Sequence, residues 1–229
     1  MTDPTPPTGP TAQTGQTGPA GPTSYRTIAA PVSATIEARR SRFLADLARA
    51  PTEEEARAVI DAARRAHHDA RHHCSAFILG VDGRVERSND DGEPSGTAGA
   101  PMLEVLRGSG LSDVVVVVTR WFGGTLLGTG GLIRAYSDAV AAALELARPL
   151  RRELLVAATL EVSHADAGRV EHELRAAGAQ VEGVDYGQVA TMHLAVAPDA
   201  LDRLEELVLR LSGGQGRLVP GERRWVDCP

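Results

Sequence analysis

Three features of the sequence predict an α+β protein built from two successive domains. Val114 to Val118 is an unbroken β-branched run set near glycines, the mark of a short strand buried on both faces. From residue 151 onward the pattern runs strand, helix, strand, strand, helix, strand, which is the ferredoxin-like order. The 229 residues, 42% of them apolar, supply enough core for one large or two small domains. The division read from these patterns is a tail over 1–24, a first domain over 25–150 and a second over 151–229.

Residues 1–24 are mostly Pro, Gly, Thr and Gln, too poor in bulky apolar side chains to offset the entropy of ordering, so a disordered tail is expected. Tyr25 to Ile28, Val32 to Glu37 and Ser41 to Leu47 read as short strands. Thr52, with Glu55 three residues on, forms a capping box that starts a helix ending near His68. His73 to Leu79 and Arg84 to Ser88 are strands joined by an Asp82-Gly83 turn. Met102 to Arg107 is a short helix stopped by Gly108 and Gly110, and the buried strand follows it. Leu132 to Ala147 is a long helix with Ile133, Tyr136, Val140 and Leu144 along one face, ended by Pro149. In the second domain the strands are Leu154 to Val162, Gln180 to Tyr186, Val189 to Val196 and Arg217 to Arg224. Its helices are Ala165 to Ala177 and a segment capped by Asp199 and running to Leu211.

Composition excludes several functions. The 24 cationic side chains are all arginine, which rules out a lysine Schiff base or a phosphate-loop lysine. A net charge of −6 argues against a general polyanion-binding surface, although a local basic patch stays open. Cys74 and Cys228 are the only cysteines, one inside a strand and one at the end of the chain, so no disulfide framework is expected. The start of the chain has neither a basic nor an apolar run, and no stretch approaches the ~20 apolar residues of a spanning helix. A cytoplasmic protein with no membrane contact and no cofactor is the expectation.

Candidate functional residues cluster in two loops around the buried strand. The first holds Asp90, Asp91, Glu93, Ser95 and Thr97, and Arg71 and His73 lie on the chain leading to the preceding hairpin. Imidazole and carboxylates together would suit zinc or manganese. Adjacent His72 and His73 point to opposite faces of an extended chain, however, so at most one joins a given site, and no HxH or HExxH spacing is present. The competing reading makes the aspartates an Asx-type turn. Ser95 and Thr97 could be imagined as hydroxyl nucleophiles with His73 as base, but no nucleophile-elbow sequence supports this.

The second loop carries Gly123, Gly124, Gly128, Gly130 and Gly131 ahead of a helix, where free backbone N–H groups attract anions. Its glycine spacing matches neither the phosphate loop nor the dinucleotide fingerprint, and a purely structural turn accounts for it equally well. Arg120 and Arg134 flank the loop; they can clamp a phosphate or carboxylate, or pair with Asp90, Asp91 or Glu93. Trp121 and Phe122 are a contact platform if exposed and core if buried.

ARHHC at 70–74, DDGEPSGTAGAP at 90–101, VTRWFGG at 118–124 and LGTGGLIRAYSDA at 127–139 closely resemble the IMPACT/YigZ family. The resemblance implies a first domain similar to the second-domain fold of the fifth small-subunit ribosomal protein, and a ferredoxin-like second domain. It also implies a translation-associated role with RNA, the ribosome or a translation factor as partner. Eukaryotic relatives regulate translation through additional regions that this chain lacks. Where the family usually has lysine in the glycine loop, this chain has Leu126, which leaves Arg120 and Arg134 as the cations near it. The expectation is thus a non-catalytic binding protein. The alternative is a metal-assisted hydrolase of phosphorylated or peptide substrates, with His73, Asp90, Asp91 and Glu93 around the ion.

Overall fold

The computed structural model describes residues 21–228. Its first sheet contains β2 (Val32–Ala38), β3 (Ser41–Arg49), β4 (His72–Leu79), β5 (Val85–Asn89) and β6 (Val114–Trp121), in the order β2-β3-β6-β4-β5 and antiparallel throughout. The β-branched run lies in β6 at the centre, where Val114 to Val118 are completely buried. Val115 and Val117 pack under α1 (Glu53–Ala66). Val114, Val116 and Val118 share a core with α2 (Gly99–Ser109) and α3 (Thr129–Leu146). Helices on both faces explain why this strand shows no polar alternation.

The second sheet holds β7 (Pro149–Val162), β8 (Gln180–Tyr186), β9 (Ala190–Val196) and β10 (Leu218–Cys228), with α4 (Ala167–Ala176), a 3-10 turn over Pro198–Ala200 and α5 (Leu201–Leu211). β10 pairs with β7, β7 with β9, and β9 with β8, all antiparallel, which is the ferredoxin-like strand order. Leu160, Met192, Leu194, Leu204 and Leu218 fill its core.

One strand does not stay with the domain to which the sequence assigns it. β1 (Ser24–Ile28) pairs with β7, from Ser24 opposite Glu153 to Ile28 opposite Pro149. The reason is the length of β7: β9 covers only Val156 to Val162, so the first residues of β7 would present unpaired backbone groups, and β1 satisfies them. Of the expected tail, residues 1–20 lie outside the described residues, and Ser24 already belongs to β1.

Smaller differences have local causes. α2 begins earlier than expected, at Gly99, and runs through Gly108 until Gly110 takes a left-handed φ of 64°. α3 begins at Thr129, and its buried stripe is Leu132, Ala135, Tyr136, Ala139, Val140 and Ala143, so Ile133 turns outward and is 39% exposed. Asp199 sits in the 3-10 turn, and α5 starts after Ala200 with no side-chain cap. No helix among the described residues is long and apolar enough to cross a membrane.

Candidate functional site

The acidic loop is held by its own carboxylates. Asp90 accepts hydrogen bonds from the backbone N–H groups of Gly96 (2.8 Å), Ala98 (3.0 Å) and Gly99 (2.8 Å). Ala98, at the N-cap of α2, has no side chain that can cap, so Asp90 caps the helix from nine residues away. Burial works against its charge, yet these three donors hold its carboxyl below the usual aspartate range. Asp91, in a left-handed φ of 43°, accepts from the His73 N–H (2.7 Å) and from Arg64 Nη2 (2.8 Å), and its own N–H donates to Asn89 Oδ1 (2.7 Å).

Glu93 is the centre of a buried network. Its Oε1 accepts from Arg120 Nη1 (2.5 Å) and from the Tyr136 hydroxyl (2.8 Å), and the side chains of Glu93 and Arg120 are 4% and 7% exposed. Arg120 lies near the rings of Phe43 (5.5 Å) and Phe122 (5.7 Å), and the Phe43 ring meets Tyr136 edge to face. The single Cys74 S–H proton is within reach of two acceptors, the Asp90 carbonyl (3.0 Å) and the Tyr136 oxygen (3.3 Å). Burial pushes the Cys74 thiol up to about 12, helped by the neighbouring carboxylates and opposed by the Tyr136 hydrogen bond. Burial also raises the Tyr136 phenol, with Cys74 and Glu93 adding to the shift. Both groups therefore stay protonated near neutral pH, and Cys74 is no nucleophile.

The two histidines diverge as strand alternation requires. His72 faces Glu93, with Nε2 4.0 Å from Oε1 and Nδ1 2.9 Å from the Asp91 carbonyl. His73, the histidine singled out from sequence, lies by α1, where its Nε2 is 3.1 Å from the His67 carbonyl. Arg71 and Ser95 are exposed, and Thr97 donates from its hydroxyl to the Pro94 carbonyl (2.6 Å). Among the described residues, no group of three or more His, Cys, Asp or Glu is placed to hold a metal ion. The carboxylates proposed for that role are spent on backbone N–H groups, Arg64, Arg120 and Tyr136.

The glycine loop is anchored elsewhere, on the hairpin between β2 and β3. The Gly123 N–H donates to Ser41 Oγ (3.2 Å), and Arg39 Nη1 donates to the Leu126 carbonyl (3.2 Å). A Cβ on Gly123 would stand 2.0 Å from the Arg40 carbonyl carbon and oxygen, so only glycine allows this approach. Gly124 and Gly128 have left-handed φ of 82° and 72°, Gly131 packs on Leu127, and Gly130 has open space around it. Arg134 is exposed, with no ion-pair partner among the described residues. Phe122 and Leu126 are exposed, Leu126 by 80%, whereas Trp121 is half-buried, donating to Asp69 (2.8 Å) beneath the Arg42 guanidinium. The structure thus joins Arg120 directly to Glu93. Phe122 beside Arg120 and a shallow groove shared by Gly96 and Ile133 lie between the acidic loop and the segment that carries the glycines.

Residues 39–144 match the model of the Impact N-terminal domain, and residues 160–215 match a domain of unknown function, DUF1949. IMPACT family member YvyE of Bacillus subtilis is 35% identical over 89% of this chain and 94% of its own length. The chain belongs to the IMPACT family. IMPACT family member YigZ of Escherichia coli is 39% identical over 73% of this chain and 83% of its own. A crystal structure of a hypothetical protein is 35% identical and superposes with a TM-score of 0.60 over 87% of this chain and 98% of its own. Sequence reading of this IMPACT member missed three participants in the network. The sequence places Tyr136 along one face of a helix and Cys74 inside a strand, and it favours His73 over His72. A helix-buried tyrosine whose hydroxyl needs a partner was the available signal for the first.

Proposed function

We propose that the chain is a non-catalytic binding protein that attaches to a component of the translation apparatus through the face formed by residues 90–99 and 120–134. The observation that carries this reading is how the charges are used. Asp90, Asp91 and Glu93 are each satisfied within the chain, while Phe122, Leu126, Ile133 and Arg134 face solvent. Groups committed to holding a loop cannot also turn over a substrate; exposed apolar side chains beside an arginine suit a protein or RNA contact. The translational part of the proposal comes from what the family resemblance implies. The second domain stays available to a further RNA or protein contact.

Co-sedimentation of the full chain with ribosomes, at low and at high salt, tests the reading. The expected result is binding at low salt that Leu126→Asp and Phe122→Ala both weaken. Loss of binding with rising salt marks a phosphate contact, and insensitivity to salt marks a protein contact. A chain that never co-sediments at low salt overturns the proposal.

A further inference from the structure

A separate cleft lies at the junction of the two domains. It has a volume of about 640 Å³, with β1 and the first residues of β7 on one side and the β4–β5 hairpin and the end of α2 on the other. Tyr25, Ile78, Val81 and Leu111 provide apolar wall, and Arg26, Arg107 and Arg151 reach it from three different elements.

The arginines are arranged at a cost. Arg26 and Arg151 stand directly opposite each other in the β1–β7 ladder, so their side chains share a face, and like charges so placed repel. The acids nearby are already paired. Asp82 binds Arg84, Glu86 binds Arg107, and Glu153 binds Arg151 at 2.9 Å. Arg26 donates only to the Ser109 carbonyl (3.1 Å) and has no carboxylate partner among the described residues. The cleft therefore carries an uncompensated guanidinium next to a second one, in a chain whose net charge is −6.

We infer that this cleft binds a small phosphorylated molecule, its phosphate bridging Arg26 and Arg151 and its remaining body lying against Tyr25, Ile78, Val81 and Leu111. A bridging oxyanion converts the cross-strand repulsion into two charge-assisted contacts, and guanidinium forks match phosphate geometry. Apolar walls with a few convergent polar groups at a domain junction are the usual make-up of a small-molecule site. Arg26 and Arg151 stand on adjacent strands of the second sheet, and Arg26 also donates to the Ser109 carbonyl of α2, so an occupant would lie where that sheet meets the first domain.

Calorimetric titration of the full chain with inorganic pyrophosphate at low salt tests this. Saturable binding is expected, at least tenfold weaker in Arg26→Gln and in Arg151→Gln. Without the anion, Arg151→Gln loses both the repulsion from Arg26 and its exposed pair with Glu153, so it should melt at about the same temperature as the parent; a residue that holds the fold together would melt clearly lower. No saturable heat in the parent, affinity unchanged from the parent in either variant, or an equal loss in the distant Arg175→Gln overturns the inference. So does binding of an RNA oligonucleotide that the two variants weaken while pyrophosphate fails to bind. The cleft does not include Arg120 or the glycine loop, so its failure leaves the ribosome reading untouched.

Discussion

Replacing Glu93 by alanine strands a guanidinium inside the first domain. Arg120 is 7% exposed on its side chain, Glu93 is its ion-pair partner, and its Nε is already buried without a hydrogen-bond acceptor. Removing one member of a buried pair costs about 3–5 kcal/mol, because the remaining charge is left uncompensated. Tyr136 loses its acceptor in the same step, but that cost of about 1–3 kcal/mol is coupled to the first and does not simply add. A loss of about 3–5 kcal/mol is therefore expected. At a urea m-value of roughly 2 kcal/mol/M, the midpoint should fall by about 2 M. The chain has one tryptophan in each domain, Trp121 near this network and Trp225 against Tyr25, so unfolding is best followed in a Trp225→Phe background, where Trp121 reports the first domain alone. Glu93→Leu combined with Arg120→Met removes both charges and should recover most of the loss. A loss under 1 kcal/mol for Glu93→Ala, or a double variant as unstable as the single, would refute the view that this pair is desolvated and interdependent.

Three further outcomes follow from the same geometry. The Asp90 carboxyl titrates below its ordinary range in the fold, so the stability it contributes is present above about pH 4 and is lost as pH falls through the depressed value. Hydrogen exchange should show the amides of Gly96, Ala98 and Gly99 losing protection in that acid range, and Asp90→Ala should cost about 1–2 kcal/mol through the lost cap. Cys74, with its thiol pushed up to about 12, should resist alkylation at pH 8 in the folded chain while the partly exposed Cys228 reacts. Stability should decline as pH rises from about 9 toward 12, since only the unfolded chain then releases the Cys74 proton. Gly123→Ala should destabilise by about 1–3 kcal/mol through collision with the Arg40 backbone, whereas Gly130→Ala, with open space and a helical position, should be neutral or stabilising by up to about 1 kcal/mol in thermal melts.

What could be read in the sequence was what local pattern encodes. The run Val114 to Val118 announces a two-sided strand because five β-branched residues fit nowhere else so well, and Thr52 announces a helix start because its acceptor, 3.2 Å from the Glu55 N–H, is three residues away. The features that escaped are those set by distant partners. β1 joins the second sheet because of an edge more than 120 residues downstream, and no periodicity in Tyr25 to Ile28 carries that information. Asp90 caps a helix that starts nine residues later, beyond the reach of any adjacent-cap rule. The choice between His72 and His73 depends on the phase of β4 relative to its neighbours, which one residue of register would reverse. Arg120 and Glu93 were both singled out as candidates, and their pairing was one of two options that sequence left open.

That pairing also bears on why the site is polar at all. An apolar pair of similar volume in place of Glu93 and Arg120 would hold the first domain together as well or better, so the ion pair is weak as an argument about stability. What it supplies is position. One carboxylate oxygen fixes the end of β6 through Arg120 and the first turns of α3 through Tyr136, while Cys74 connects β4 to the Asp90 carbonyl. The acidic loop is thereby fastened to the two elements that bracket the glycine loop. Phe122, beside Arg120, is then set facing solvent, and the loop after it is pinned to the β2–β3 hairpin through Gly123 and Leu126. A face whose charges are committed beneath it while Phe122 and Leu126 stand exposed at its rim has the make-up that the proposed docking role requires.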